Sequence, residues 1–476
     1  MTIMTSRHFS GLLIDAFPYE ATPSQEKLIY LLSDFIFEPE KSIFLLKGYA
    51  GTGKTTLVSN LVKNLWKAKR KFTLLAPTGR AAKVISSYAN TQAHTIHRHI
   101  YYPKKDAYGK LQFSLRKNKQ RHTVFIVDEA SMISGENTGD SIFDSASLLS
   151  DLIQYVYSQP GNKLIFVGDT AQLPPVGMSI SPALDKTFLI KNFDIPVRDF
   201  ELDEVVRQSF DSGILFNATK IRQELASPQI GNIKFNTAGF DDFVRLENGY
   251  DIQDAIEQAY SNNNFEETAI IVCSNKRANL YNQQIRNRVL LKDSELDAGD
   301  YLMVVKNNYF WLDDTSPAGF IANGDIVEIL EIYRFVDLYG FRFAEVRLRM
   351  LDYPEQKPFD SMIMLDTLHI DAPSLPYEQA NQLYQAVSED YAHLKTKWQR
   401  YKKVKENKYF NALQVKFSYA LTAHKAQGGQ WNNVFVEQPY RFDIRDREQL
   451  RWLYTAFTRA KEKLYLIGFD RDLFVE

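Results

Sequence analysis

A glycine-rich loop between an apolar run and a helical pattern constrains the fold of this chain more than any other feature. Ile43-Phe44-Leu45-Leu46 is typical of a buried strand, and Gly48-Tyr49-Ala50-Gly51-Thr52-Gly53-Lys54-Thr55 follows it. Leu57, Leu61 and Leu65 then recur on one face of a helix. The loop fits G-x-x-x-x-G-K-[ST], whose backbone N–H groups and helix N-terminus face phosphate oxygens. The alternative is a glycine-rich turn with a surface lysine.

The loop predicts a binding site for a nucleoside triphosphate with Mg²⁺. Lys54 would reach the β- and γ-phosphates, and Thr55 would hold the metal ion. The other loop residues assigned to nucleotide binding are Gly48, Gly51, Thr52, Gly53 and Thr56. A dinucleotide site of the oxidoreductase type is disfavoured, because the loop does not read G-x-G-x-x-G.

A pair of acids complements the loop. Asp128-Glu129 ends the apolar run Val124-Phe125-Ile126-Val127, and parallel strands bring their carboxyl ends to one edge of a sheet. Asp128 would bind Mg²⁺, and Glu129 would polarise the attacking water. Alone, two acids after an apolar run usually mark a strand end. Together with the loop, they predict hydrolysis of the triphosphate.

Patterns along the rest of the chain predict an α/β fold with two parallel sheets. Apolar, β-branched runs alternate with helical patterns in two series, as in βαβ units. The runs are 43–46, 72–75, 124–127 and 164–167, then 269–272, 434–436 and 464–467. Alternating segments with turn signals Asn323-Gly324 and Tyr339-Gly340 predict a small antiparallel barrel inside the second series. A helical pattern over 377–407 follows, with a stripe of Val387, Tyr391, Leu394, Trp398 and Tyr401.

These patterns divide the chain into two α/β domains, the second of them interrupted. We predict an N-terminal segment 1–20, a first domain 21–210 with an insertion at 100–122, and a second domain formed by 211–290 and 412–476. The inserted domain would span 291–411, with its barrel at about 297–370 and a helical extension at about 376–407.

Composition limits the partners. Lys and Arg number 57 and Asp and Glu 58, giving a net charge of −1, so a polyanion would have to meet a local groove. The basic segments 103–122 and 395–408 offer such grooves, and the alternative for each is a solvated surface. One cysteine, Cys273, excludes an internal disulfide. No membrane-length apolar run or signal-peptide pattern occurs, so we expect a cytoplasmic protein without a membrane partner.

Several segments resemble the motifs of superfamily 1B DNA helicases of the RecD, Dda and Pif type. They follow family order from residue 22 to residue 460. The segments are 22–25 (Q motif), 76–82 (Ia) with 95–98 after it, 128–132 (II), 168–176 (III), 202–208 (IV), 422–428 (V) and 454–460 (VI). The resemblance implies RecA-like folds for both α/β domains, an SH3-like barrel and a small β-hairpin pin at 100–122.

The resemblance also implies roles at the nucleotide. Gln25 would read adenine, and Gln172 would sense the γ-phosphate. Arg207 and Arg459 would act as arginine fingers, and the alternative for each is a surface arginine. Gln430 stands where the family pattern of motif V has a glutamate; it can hydrogen-bond the nucleotide but carries no charge.

Six residues match positions where relatives touch DNA. They are Pro77, Thr78 and His97 in the first domain and Thr422, His424 and Lys425 in the second. The alternative for each is plain loop structure. Single-strand motors combine such backbone contacts with base stacking.

The resemblance implies an ATP-dependent DNA helicase that moves 5′ to 3′ on single-stranded DNA. Its expected partners are single-stranded DNA, single-strand to duplex junctions and other repair or replication proteins, and the chain is expected to act as a monomer in a prokaryotic or phage-like setting. Two alternatives stay open. One is a RecD-like motor subunit of a recombination nuclease complex, and the other is a nucleic-acid-stimulated ATPase that remodels RNA or protein–DNA complexes.

Overall fold

The computed structural model describes residues 4–105, 111–135, 147–204, 211–260, 265–313 and 316–475. Arg207 and residues 106–110 of the predicted pin therefore lie outside the described residues. Within these ranges, every helix is too short or too polar to span a membrane.

The first domain is built on a six-stranded parallel sheet with helices on both faces. Its helices are α1 (Ser6–Asp15), α2 (Pro23–Phe37), α3 (Lys54–Asn64), α4 (Gly79–Ala89), α5 (Ile96–Ile100), α6 (Leu148–Tyr157) and α7 (Lys186–Phe193). Its strands are β1 (Ile43–Gly48), β2 (Lys71–Ala76), β3 (Ala93–Thr95), β4 (Tyr101–Lys105), β5 (Leu111–Leu115), β6 (Thr123–Val127), β7 (Lys163–Gly168) and β8 (Val197–Leu202). The sheet order is β3-β2-β6-β7-β1-β8.

Alternation along the central strand shows why these runs are apolar throughout. Phe44 and Leu46 of β1 point into one buried cluster, while Ile43 and Leu45 point into another on the opposite face. Both faces must be apolar because helices cover both. The N-terminal segment predicted as separate belongs to this domain, because Phe9 of α1 is fully buried in the first cluster.

A two-stranded hairpin projects from the first domain at the predicted pin. β4 and β5 pair antiparallel, with Tyr101 opposite Leu115 and Lys105 opposite Leu111. The backbone N–H of Arg116 donates to the carbonyl of Ile100 at 2.6 Å, which fixes the base of the hairpin to α5.

The chain next enters the second domain and then leaves it for the inserted one. The second domain begins with α8 (Gly213–Ala226), β9 (Phe243–Leu246), α9 (Gly249–Tyr260), β10 (Thr268–Val272) and α10 (Asn275–Gln284). The insertion contains β11 (Tyr301–Val304), β12 (Ile326–Leu338), β13 (Phe341–Met350), β14 (Phe359–Met364), α11 (Asp366–His369), α12 (Tyr377–Glu389), α13 (Lys397–Glu406) and β15 (Leu413–Phe417).

The inserted domain, with its closed barrel of β11–β15, differs from the sequence prediction in three ways. Its fifth strand, β15, lies beyond the boundary predicted at 411. β14 and β15 pair parallel instead of antiparallel, because the chain makes a helical crossover between them. The helix expected over 377–407 is broken, because Thr396 and Gln399 form a capping box that starts α13.

The second domain is completed by a five-stranded parallel sheet. Its remaining elements are β16 (Ala420–Thr422), α14 (Ala423–Ala426), β17 (Trp431–Glu437), α15 (Arg447–Phe457) and β18 (Ala460–Ile467), in the sheet order β16-β10-β17-β18-β9. Ile270 and Phe435 of this sheet share one buried cluster with Leu302 and Val327 of the barrel. The barrel is thus anchored on the second domain, and the predicted fold class of two parallel sheets with an inserted barrel is confirmed.

Candidate nucleotide site between the two parallel sheets

The phosphate loop has the backbone shape that an anion cradle needs. Gly51 and Gly53 adopt left-handed φ values of 75° and 83°, which a residue with a side chain rarely takes. Gly53 is the N-cap of α3 and offers no side chain to cap its first turn. The positive end of α3 therefore faces the loop opening.

Lys54 lies close to three acids of the first domain and to Arg459 of the second, and their charges act on it. Its ammonium group donates to the carbonyl of Tyr49 at 2.7 Å. Burial lowers its pKa, Asp169, Glu129 and Asp128 oppose that shift, and Arg459 adds to it. Lys54 and both predicted acids are therefore close to an arginine of the second domain.

The two acids at the end of β6 are each in an unfavourable setting, Asp128 because of its charge and Glu129 because of its backbone conformation. Burial and the charge of Glu129 raise the pKa of Asp128 to about 7, against the opposing effect of Lys54. Glu129 has a left-handed φ of 52°, an uncommon conformation for a residue with a side chain. Such strain is typical of functional positions.

The oxygen groups beside the loop fit a magnesium ion. Thr55 in the first turn of α3 and Asp128 would hold it, and a cation would relieve the repulsion between the two acids. Across the described ranges, no three His, Cys, Asp or Glu side chains converge on a point that could hold a metal. The ion would therefore take its other ligands from phosphates and water, as magnesium does in nucleotide sites.

Gln172 follows the carboxyl end of β7 and carries an orphaned acceptor. Its side chain is 7% exposed, and its Oε1 finds no hydrogen-bond partner among the described residues. A buried amide oxygen without a partner costs free energy. An amide has a donor end and an acceptor end, so Gln172 can contact a phosphate oxygen and a water molecule together.

Arg459 supplies a buried positive charge from the second domain. The guanidinium is 3% exposed and donates to the carbonyls of Thr455 at 3.0 Å and Gly429 at 3.3 Å, and to Thr458 Oγ1 at 3.2 Å. No carboxylate of the described chain pairs with it. A buried cation held by neutral oxygens favours the arrival of an anion.

Hydrogen bonds join the two domains around this site. The hydroxyl of Tyr454 accepts from the Ala50 N–H at 2.9 Å and donates to Asp169 Oδ2 at 2.8 Å. The Leu173 N–H donates to Thr455 Oγ1 at 2.8 Å. Tyr454, Thr455 and Asp169 lie inside the quoted motifs, but the letters alone assign them no role, because their contacts exist only when the domains meet.

A second cross-domain contact involves Tyr49 of the loop. Its hydroxyl bonds to Glu201, and the guanidinium of Arg222 on α8 lies 4.5 Å from its ring centroid. Burial and Glu201 raise the pKa of Tyr49 to about 12. Arg222 has no motif signal in the sequence, so only the structure brings it to the site.

The two glutamines assigned to the nucleotide are placed differently. Gln25 donates to the Thr52 carbonyl of the loop at 3.0 Å, and its Oε1 accepts from the Thr22 N–H. Gln430 accepts instead from the Tyr88 hydroxyl of α4 at 3.3 Å. The structure therefore brings Gln25 to the phosphate loop and Gln430 to α4.

The first-domain candidates for DNA contact are partly buried at the start of α4 and on α5. Thr78 caps α4, and a Cβ at Gly428 would lie 3.3 Å from its hydroxyl. Pro77 precedes it. His97 packs near Phe320 of the inserted domain, with its pKa lowered to about 4 by burial.

The second-domain candidates lie at the start of α14. Thr422 and Lys425 are partly buried and His424 is exposed, with the pKa of Lys425 lowered to about 8 by burial. The structure therefore places the six predicted residues at the start of α4 and on α5 of the first domain, and at the start of α14 of the second.

The fold and the site are those of a P-loop protein in which two parallel-sheet domains meet beside one phosphate loop. The AAA domain family model matches residues 31–234, and the UvrD-like helicase C-terminal domain matches residues 417–467. The chain is similar in sequence to helicases of the RecD and Dda type.

Individual relatives span different shares of their own length. An uncharacterized protein of Methanocaldococcus jannaschii is 25% identical over 89% of this chain, which covers only 36% of that relative. The ATP-dependent DNA helicase Dda of Enterobacteria phage T4 is 23% identical over 94% of this chain and 99% of its own. A Bacteroides Pif1 helicase structure with ADP-AlF3 and single-stranded DNA covers 96% of this chain and 94% of its own, at 16% identity and a TM-score of 0.48.

Proposed function

We propose that this chain is an ATP-dependent DNA helicase that moves 5′ to 3′ along single-stranded DNA and separates duplex DNA ahead of it. One observation carries the proposal. The Ala50 N–H of the phosphate loop donates to the Tyr454 hydroxyl of α15 at 2.9 Å, and Arg459 follows that helix of the second domain. A triphosphate bound there would touch both domains, so its hydrolysis would change the force between them.

The residues around the loop divide the chemistry. Lys54 and the N–H groups at the start of α3 bind the phosphates of ATP. Glu129 takes up the proton of the attacking water, and Gln172 orients that water. Arg459 stabilises the charge on the transferring phosphoryl group. Thr55 and Asp128 would hold a magnesium ion, which would supply positive charge at the phosphate oxygens.

Domain closure links this chemistry to movement. Arg459 has no acid to pair with among the described residues, so a triphosphate draws the second domain onto the first. Loss of the γ-phosphate after hydrolysis removes that attraction. Alternating grip by the groups at Thr78 and Lys425 would then advance the single strand.

The test compares ATP hydrolysis with single-stranded DNA, with RNA and without nucleic acid. We expect stimulation by DNA in the wild type and in Lys63→Ala, an exposed lysine of the same helix α3. Lys54→Ala should lose hydrolysis and unwinding together. Undiminished unwinding by Lys54→Ala would refute the assignment of the nucleotide site to this loop. Stimulation by RNA alone would favour the ATPase that remodels RNA or protein–DNA complexes. Unwinding only with added partner proteins would favour a motor subunit.

A further inference from the structure

The hydroxyl of Tyr454 is the only atom of its side chain that can make a directed contact, and both of its partners lie in the other domain. Tyr454 sits on α15 of the second domain and is 1% exposed. Ala50 belongs to the phosphate loop, and Asp169 follows the end of β7. One oxygen atom therefore joins α15 to the two first-domain segments that face the triphosphate.

The direction of these hydrogen bonds is fixed. Burial and the charge of Asp169 raise the pKa of Tyr454 well above its ordinary value, so the hydroxyl keeps its proton. It must donate to Asp169 and accept from the Ala50 N–H. A hydroxyl-to-carboxylate bond is charge-assisted and stronger than a neutral one.

Neighbouring contacts hold the rest of the segment after β7. Thr455 Oγ1 accepts from the Leu173 N–H at 2.8 Å, and Gln427 Nε2 donates to the Leu173 carbonyl at 2.6 Å. Gln172 therefore lies between two anchor points, Asp169 and Leu173, that are both held by the second domain. The position of Gln172 depends on where α15 stands.

We propose that Tyr454 is a positioning residue that couples ATP hydrolysis to domain position, and this inference rests on the proposed function. Its hydroxyl holds Ala50 and Asp169 in register with α15, so that Gln172 and Arg459 reach the γ-phosphate together. The loop itself is held by bonds that do not involve Tyr454, from Gln25 to the Thr52 carbonyl and from Lys54 to the Tyr49 carbonyl. Hydrolysis and movement therefore depend on Tyr454 more strongly than ATP binding does.

Tyr454→Phe tests this by removing a single oxygen atom. We expect DNA-stimulated kcat to fall about tenfold, with KM for ATP changed less than about threefold. The number of base pairs unwound per ATP should also fall, because some hydrolysis then occurs without domain alignment. Tyr465→Phe is the matched control, since its buried ring stacks on Phe435 within the second domain at 4.4 Å.

Two further measurements keep the test decisive. If Tyr454→Phe melts well below the wild type, Asp169→Asn carries the test, because it keeps the tyrosine and weakens the same bond. The double variant should lose little more than either single variant. Wild-type kcat and unwinding yield in Tyr454→Phe would overturn the inference alone. An inactive wild type would instead overturn the proposed function.

Discussion

The two sides of the cleft between the domains are joined by different chemistry. At the phosphate loop, the Tyr454 hydroxyl bridges the domains while Arg459 has no acidic partner among the described residues. At the start of α4, Arg80 stacks on Trp431 at 4.1 Å, and Lys83 lies 4.0 Å from the buried Asp352. The nucleotide side therefore has positive charge ready for an anion. The cations of α4 already have an acid beside them, with which a DNA phosphate would have to compete.

The largest expected effect comes from a substitution on the nucleotide side of the cleft. Arg459→Ala removes the cation that a triphosphate attracts, and we expect DNA-stimulated kcat to fall about 10³-fold. Steady-state ATP hydrolysis measures it, with Lys461→Ala, exposed and two residues away, as the control. A loss below about tenfold would mean that Arg459 does not contact the phosphoryl group.

The next effect separates chemistry from binding at the same site. Glu129→Gln keeps the shape of the side chain but removes the base, so we expect kcat to fall about 10²-fold or more. Binding of a fluorescent ATP analogue should stay within a few-fold of the wild type. Equal losses in binding and kcat would indicate that the left-handed backbone at Glu129 has collapsed.

A smaller effect tests the DNA side. Asp352→Asn removes the buried one of the two acids beside Arg80 and Lys83, the other being Glu266, so we expect single-stranded DNA to bind about threefold more tightly at low salt. Fluorescence anisotropy at two salt concentrations measures the change. Asp337→Asn, 86% exposed on the same barrel, is the control. Unchanged or weaker binding would show that DNA does not approach α4.

The smallest effect concerns stability and pH. Burial and the charge of Asp352 raise the pKa of Asp325 well above its ordinary value, and the Ala322 N–H bond opposes this. The folded state therefore holds a proton that the unfolded state releases, and this contribution to stability is lost as the pH rises through the raised pKa. The Tm of Asp325→Asn minus that of the wild type should grow by about 2 °C or more from pH 5 to pH 8. A Tm difference that shrinks as the pH rises would contradict the expected direction of the effect.

Local sequence patterns predicted those elements whose structure is determined by interactions within one segment of the chain. The loop around Lys54 and the acids at the end of β6 follow from spacing, glycine and strand periodicity. The Tyr454 bond, the partly buried position of His97 and the place of Gln430 against Tyr88 depend on contacts between domains, which no single segment encodes. The parallel pairing of β14 with β15 likewise depends on a crossover of some fifty residues.

The most direct test mixes the purified chain and ATP with a duplex that carries either a 5′ or a 3′ single-stranded tail, and measures strand separation. We expect strand separation from the 5′ tail, at a rate that follows ATP concentration and vanishes in Lys54→Ala. ATP hydrolysis without separation of either duplex would contradict the claim that the two domains turn a shared triphosphate into movement.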